Sequence, residues 1–252
     1  MSKAYDSVNL TLLEHALTRL LLPTNIVNTL LNILTNRQNN VITNLGLTQS
    51  YNVQNGIDQG ETITPLLWRI YYDPLISYIY SNSPSYTIET SWFTNLKNFL
   101  TDNLQTKCSV LAYMDDTLWI APSQTELSKI LTIAESFYSM ANIQVNPAKS
   151  ILSTNIKQQN YNPIIYNNHP LPLQQPNQPF KFLGCWFTLD NKQFQQTRLI
   201  IAESNQLIQI ARTKQITDTQ ACYIINTVII PTIEYRLQNI VLSQPTCNKI
   251  LT

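Results

Sequence analysis

The sequence predicts an α+β fold, in which helices pack against an antiparallel sheet and a helical segment follows at the C-terminal end. Three observations indicate this class. Residues 1–80 place two helix-period runs before a pair of short β-favouring runs and a further helix. Asp115 and Asp116 stand between two short apolar runs in CSVLAYMDDTLWIA, residues 108–121. From about Asn191 onward the pattern is helical. This order suits an antiparallel sheet with a helical appendage.

The first two elements are helices with recognisable start and stop signals. Asn9 or Ser7 caps the first helix, whose leucines recur at helical spacing, and Pro23 ends it. Thr24 opens the second helix, which we expect to run to about residue 36.

The next segments change character twice. Residues 37–54 predict a β-hairpin or two short strands. Thr64-Pro65 opens a long apolar and aromatic helix that continues to about residue 80, since proline is favoured in the first helical turn. Residues 81–106 are polar and irregular, and we expect a surface excursion with a short helix near residues 92–100.

The second half combines short strands with helices. Ser123 or Thr125 caps a helix, and residues 156–179, rich in Asn, Gln and Pro, predict a long loop. Residues 181–189 predict a pair of strands. Pro231 starts or kinks the last helix.

Composition limits the functional classes. The chain has 252 residues, charged residues make up 12% of them, and the net charge is +1. Nucleic-acid binders usually carry a basic excess, so this balance argues against strong autonomous binding. Four widely spaced cysteines without a CxxC pair predict reduced thiols and no disulfide partner. No stretch reaches transmembrane length and no signal-peptide layout opens the chain, which predicts an intracellular protein, cytoplasmic or nuclear, without a membrane partner.

The Asp115-Asp116 pair has two interpretations. Ionised carboxylates beside a dry core repel one another and lose solvation, and a divalent cation is the strongest compensation available. The alternative is a polar β-turn in which aspartate is simply a good turn former. The pair alone leaves both open.

Four further motifs stand in a fixed order around this pair. The five are Lys3-Ala4-Tyr5-Asp6-Ser7-Val8, residues 55–67 (NGIDQGETITPLL), Tyr113-Met114-Asp115-Asp116, residues 145–150 (VNPAKS) and Phe182-Leu183-Gly184. Together they closely resemble the palm of reverse transcriptases, especially those of non-LTR (LINE-like) retrotransposons. The resemblance implies a polymerase palm with partial fingers over residues 1–189 and a helical, thumb-like segment over residues 190–252.

The resemblance implies an RNA-directed DNA polymerase that works by two-metal nucleotidyl transfer. Asp115 is then a direct ligand of Mg²⁺ (or Mn²⁺), and Asp116 is the second carboxylate. Tyr113 and Met114 lie near the primer terminus. The implied partners are an RNA template, a DNA primer and deoxynucleoside triphosphates.

Further residues match functional positions of the family. Tyr5 matches an aromatic steric gate that selects deoxynucleotides, and the alternative is a core aromatic near a helix start. Gln59 and Gly60 match the loop that touches the templating pair. Lys149 matches a lysine that gives a proton to departing pyrophosphate, or it is solvated surface. The motif Phe182-Leu183-Gly184 matches the hairpin that grips the primer strand.

The sequence also departs from the family pattern. Such proteins begin the first motif with a metal-bridging aspartate four residues before the Ala-Tyr-Asp step, and counting back from Ala4 places it directly before Met1. We expect Asp6 to cap the following helix instead. Asp58 and Glu61 add negative charge beside the nucleotide loop.

With one carboxylate and the fingers missing, the resemblance implies a truncated, inactive piece of such a polymerase. A non-catalytic nucleic-acid- or protein-binding remnant of a retroelement is the alternative. A viral RNA-copying polymerase is disfavoured, because such proteins usually carry glycine rather than Tyr113-Met114 before the aspartate pair, and they lack the aromatic gate that Tyr5 supplies.

Overall fold

The computed structural model describes residues 4–95, 100–155, 162–166 and 168–251. The chain divides into two compact units. The first comprises Met1–Ser150 with Pro163–Leu171, and the second comprises Ile151–Asn162 with Pro172–Thr252. The predicted α+β class is confirmed, since helices and small antiparallel sheets alternate along the chain. The predicted division at residue 189 stays a prediction, and the segment 190–252 lies wholly within the second unit.

Four helices form the framework of the first unit, and their starts follow the sequence signals. Asn9 caps the first helix through its side-chain oxygen, so the expectation that Asp6 would cap it is wrong. Ser123 caps the fourth in the same way, and Pro65 lies in the first turn of the third. The helices are α1 (Leu10–Arg19), α2 (Thr24–Leu34), α3 (Thr64–Asn82) and α4 (Gln124–Met140).

The strands of the first unit pair two by two. Residues 37–54 form the predicted hairpin, with an inner and an outer strand pair. The acidic hairpin at Asp115-Asp116 is also confirmed. The strands are β1 (Arg37–Asn39), β2 (Ile42–Thr43), β3 (Gly46–Leu47), β4 (Tyr51–Val53), β5 (Tyr86–Asn95), β6 (Leu100–Cys108), β7 (Val110–Tyr113) and β8 (Asp116–Trp119). The segment Pro163–Leu171 adds one further short antiparallel pair.

The segment after α3 differs from the prediction. Instead of an irregular excursion with a short helix near residues 92–100, β5 and β6 form a long antiparallel ladder that begins at the pair Tyr86–Cys108. Backbone groups satisfy one another across such a ladder, whatever the polarity of the side chains, so a polar composition does not prevent it. The part of the expected helix at residues 96–99 lies outside the described residues.

The core of the first unit is aromatic. Trp68 and Tyr72 of α3 stack with ring centroids 5.7 Å apart, and Tyr72 stacks on Tyr138 of α4 at 6.3 Å. Leu13 and Leu17 of α1 are fully buried beside them in sequence-predicted apolar positions. Such rings bury large apolar areas, so they dominate the stability of this helix layer.

The second unit is mostly helical after a few short strands. β9 pairs with β12 in parallel, and β13 with β14 in the antiparallel hairpin predicted at residues 181–189. Pro231 lies in the first turn of α7 as predicted, but a further helix follows. The strands after α4 are β9 (Leu152–Ser153), β10 (Ile165–Tyr166), β11 (His169–Pro170), β12 (Leu173–Gln174), β13 (Phe180–Phe182) and β14 (Cys185–Phe187). The helices that follow are α5 (Phe194–Arg212), α6 (Asp218–Ile224), a π-helical segment (Ile225–Ile229), α7 (Ile230–Leu237) and α8 (Gln244–Leu251). The loop expected over residues 156–179 is therefore broken by three strands, β10, β11 and β12.

Across the described ranges, none of the helices is both long enough and apolar enough to cross a bilayer.

Buried tyrosines should make the protein sensitive to alkali. Burial raises the pKa of Tyr72 to about 12 and raises the pKa of Tyr138 further, because desolvation disfavours the phenolate. In the unfolded chain these tyrosines ionise near pH 10, whereas in the folded protein they keep their protons. The stabilisation is therefore complete below pH 10 and is lost as the pH rises toward 12.

We expect the free energy of unfolding to fall between pH 10 and 12 by about 1.4 kcal/mol per pH unit for each such tyrosine. Urea titrations across this pH range measure how steeply the free energy of unfolding falls with pH. Tyr138→Phe should make this fall less steep by about 1.4 kcal/mol per pH unit. A single step at pH 10 in the 295 nm absorbance of the folded protein, involving every tyrosine, would contradict the expectation.

Candidate functional site

The acidic residues lie at the tip of the β7–β8 hairpin. Tyr113 pairs with Asp116, so Met114 and Asp115 form a two-residue turn. Met114 adopts a left-handed conformation with φ 53°. A non-glycine residue in this region costs about 1 kcal/mol, so the turn needs support from outside the hairpin.

Two aromatic residues supply that support at Met114. The indole Nε1–H of Trp68 donates to the carbonyl oxygen of Met114 at 2.8 Å, and Trp68 itself is only 1% exposed. The hydroxyl of Tyr5 donates to the Met114 sulfur at 3.2 Å. The ring of Tyr5 meets Trp68 edge-on, with centroids 5.8 Å apart. The predicted gate residue and the acidic turn are therefore in direct contact.

The strand that follows the turn is anchored by hydroxyl groups. Thr117 shares a hydrogen bond with the Tyr72 hydroxyl (3.2 Å), which in turn shares one with the Tyr138 hydroxyl (2.5 Å). These bonds lower the pKa of Tyr72, but the larger effect of desolvation leaves it raised to about 12. At neutral pH both phenols are protonated, so they add hydrogen bonds and no charge beneath the acidic turn.

The Tyr5 segment is joined to the loop before α3. The amide of Ile57 donates to the Tyr5 carbonyl at 3.0 Å, and the amide of Gly56 donates to the Val8 carbonyl at 2.8 Å. Gly56 has φ 89°, and a Cβ placed on it would lie 3.0 Å from the Asp6 Cα. This close approach of two backbones requires glycine.

Arg37 holds the same loop, and our sequence reasoning missed it. Its guanidinium donates to the carbonyls of Leu34 (2.9 Å) and Gly56 (2.6 Å). It also pairs with the Asp58 carboxylate at 2.5 Å, and the side chains of Arg37 and Asp58 are 11% and 33% exposed. A signal was available: Arg37 is the only charged residue between Arg19 and Asp58. The negative charge of Asp58, in the loop before α3, is thus compensated locally by Arg37.

Four of the remaining predicted residues are exposed, and the other three lie half-buried on a hairpin. Gln59 and Gly60 are exposed between Asp58 and α3, and Tyr113 is 61% exposed. Lys149 is exposed on the short 3-10 turn Pro147–Lys149, which Asn146 caps. Phe182, Leu183 and Gly184 lie on the β13–β14 hairpin, in the second unit.

A comparison with known protein families identifies the family to which the chain belongs. The profile of the family described as reverse transcriptase (RNA-dependent DNA polymerase) matches residues 1–187, about three quarters of the chain. The chain belongs to the reverse transcriptase family. No curated protein matches the sequence significantly.

Reverse transcriptases as a family use divalent metals, and Asp115 and Asp116 offer the chemistry such ions need. Two adjacent carboxylates on an accessible turn supply hard oxygen donors and leave room for phosphate and water ligands. The described part of this reverse transcriptase contains no cluster of three or more His, Cys, Asp or Glu side chains that could hold a metal ion. The carboxylate pair therefore fits part of a metal site.

We expect the Arg37–Asp58 contact to stabilise the protein more than an exposed ion pair does. Arg37→Met should lower the free energy of unfolding by about 2–3 kcal/mol, because two carbonyls and a half-buried carboxylate lose their charged donor. The matched control is Arg19→Met, whose ion pair with Asp73 is 42% and 39% exposed and should cost about 1 kcal/mol or less. Urea denaturation measures both, and equal losses would refute the distinction.

Proposed function

We propose that this chain is the palm-containing part of an RNA-directed DNA polymerase, in which Asp115 and Asp116 bind the divalent metal ions of nucleotidyl transfer. The observation that carries the proposal is the acidic turn itself. Its left-handed residue, Met114, is held by Trp68 and Tyr5, so the two carboxylates that follow have a fixed position. Preorganised charge is what phosphoryl transfer requires from a protein.

In the proposed reaction, the primer 3′-hydroxyl gives its proton to water, and its oxygen attacks the α-phosphorus of a deoxynucleoside triphosphate. A bond forms between that oxygen and phosphorus, the bond to the bridging oxygen breaks, and pyrophosphate leaves. Mg²⁺ bound at Asp115 and Asp116 would neutralise the charge that develops on the transferred group. Lys149, exposed and carrying an ammonium group, is proposed to donate a proton to the departing pyrophosphate.

The remaining site residues select and position the substrates. We assign Tyr5 as the gate that excludes a ribose 2′-hydroxyl, supported by the two contacts that fix its ring and hydroxyl. Gln59 and Gly60 are assigned to the templating base pair, and Tyr113 and Met114 to the primer terminus. Phe182, Leu183 and Gly184 are assigned to the primer strand.

The finer classification is also a proposal. We assign the chain to the non-LTR (LINE-like) type, with palm and partial fingers over residues 1–189 and a thumb-like segment over residues 190–252. The template would be RNA and the primer DNA, in an intracellular compartment. The order and spacing of the five motifs support this assignment.

We propose further that residues 1–252 alone do not extend a primer. The described residues bring no third acidic, His or Cys side chain to the pair. Losing one preorganised charged group from such a site costs about 3–4 kcal/mol of transition-state stabilisation.

Metal binding tests the assigned ligands independently of activity. Asp115→Asn and Asp116→Asn should each weaken Mn²⁺ binding roughly tenfold, since one charged ligand is lost. Glu14→Gln, an exposed carboxylate on α1, is the matched control and should leave the affinity unchanged. Mn²⁺ titration followed by electron paramagnetic resonance measures the affinity of the unmodified chain and of the three variants. Equal affinities in all of them would exclude Asp115 and Asp116 as ligands.

Primer extension tests the function and the inactivity separately. We expect the purified 252-residue chain to extend a DNA primer on an RNA template no more than its Asp115→Ala variant does, with Mg²⁺ or Mn²⁺. Robust extension that Asp115→Ala abolishes would establish the polymerase and disprove the inactivity. Salt-dependent RNA or DNA binding that survives Asp115→Ala, without metal binding at the pair, would favour a non-catalytic binding module.

A further inference from the structure

The turn between β13 and β14 has an unusual backbone. Phe182 pairs with Cys185, and the two residues between them are both left-handed, Leu183 with φ 48° and Gly184 with φ 81°. A two-residue hairpin loop of this kind favours Asn-Gly, because its first residue must adopt a positive φ. Leucine is poorly suited to that conformation. Contacts from elsewhere in the second unit must therefore help to hold it.

Two consecutive side chains of α7 make those contacts. The hydroxyl of Tyr235 donates to the Leu183 carbonyl at 2.5 Å. The guanidinium of Arg236 donates through Nη1 to the Gly184 carbonyl at 2.8 Å. Each carbonyl oxygen of the two-residue turn thus has a donor from the same helix.

Arg236 is itself fixed by α5. Its Nη2 donates to Glu203 Oε1 at 2.7 Å, and its Nε contacts the other carboxylate oxygen. The fully buried Gln196 accepts from the Trp186 amide at 2.9 Å and donates to the Arg236 carbonyl at 3.1 Å. One hydrogen-bond network therefore joins the hairpin to both helices, so a change at α7 reaches the turn.

We propose that Tyr235 and Arg236 are positioning residues, which hold the turn at Leu183-Gly184 in the shape that contacts the primer strand. This inference rests on the proposed function, which assigns that turn to the primer. Each bond occupies one lone pair of a carbonyl oxygen, so the turn presents less negative charge. This favours the approach of a phosphate, which is itself an acceptor and is commonly bound by backbone amides.

The test uses the full 252-residue chain and a readout of position. Tyr235→Phe removes one hydroxyl and keeps the ring, and Tyr223→Phe, 67% exposed on α6, is the matched control. Glu203→Gln is a second variant, which keeps the side-chain size and removes the charge that orients Arg236. The probe is a DNA primer that carries 4-thiothymidine within its strand, upstream of the 3′ end, and is annealed to an RNA template. Three quantities are measured. They are photocrosslinking to residues 182–184, primer–template affinity by fluorescence anisotropy, and amide hydrogen exchange of residues 182–187.

We expect Tyr235→Phe to speed exchange at the turn about fivefold, and to lower both affinity and crosslink yield about fivefold, with Glu203→Gln acting in the same direction. Tyr223→Phe should change none of these. Circular dichroism establishes that each variant is folded at the assay temperature.

Two results would overturn the inference. One is a Tyr235→Phe protein that behaves as Tyr223→Phe does. The other is faster exchange with unchanged affinity and crosslinking, which would make the network structural only. Failure of the proposed function is distinguishable, because it appears in the unmodified chain as absence of primer–template binding.

Discussion

The hydrogen bond from the buried indole of Trp68 to the Met114 carbonyl is the contact on which the candidate site depends. A two-stranded hairpin is at best marginally stable alone, and β7 and β8 pair only with each other in the part of the chain that the structure describes. The acidic turn at their tip also contains a left-handed methionine. Trp68 belongs to the stacked aromatic core of α3 and α4, so the stability of that core is transmitted to the position of the carboxylates.

Contacts between separate segments also join the other motifs of the first unit. Tyr5 touches Met114, its backbone pairs with Ile57, and Arg37 binds the carbonyl next to Ile57. Segments more than one hundred residues apart in the chain therefore share one set of contacts. These contacts also bear on a departure from the family pattern, because the charge of Asp58 is paired with Arg37 and does not stand isolated in the loop before α3.

Sequence reasoning recovered the ends of elements where a local signal exists. Asn9, Ser123 and Pro65 marked helix starts correctly, because capping and first-turn preferences act within a few residues. It failed at the β5–β6 ladder, because these consecutive strands pair through backbone groups, which a polar side-chain composition does not reveal. It also missed Arg37 as a support of the loop before α3, since the partners of Arg37 in that loop lie nineteen and twenty-one residues further along the chain.

The sequence by itself determined the family, because the motifs carry the residue types that the chemistry needs in a fixed order, and the family profile confirms it. It also determined the acidic hairpin, since two β-favouring runs flank the aspartates. Only the tertiary structure decided what holds these groups in place. The supports at Trp68, Arg37, Tyr235 and Arg236 act on backbone carbonyls of other segments. A carbonyl is present at every residue, so no residue pattern shows which one a distant donor will bind.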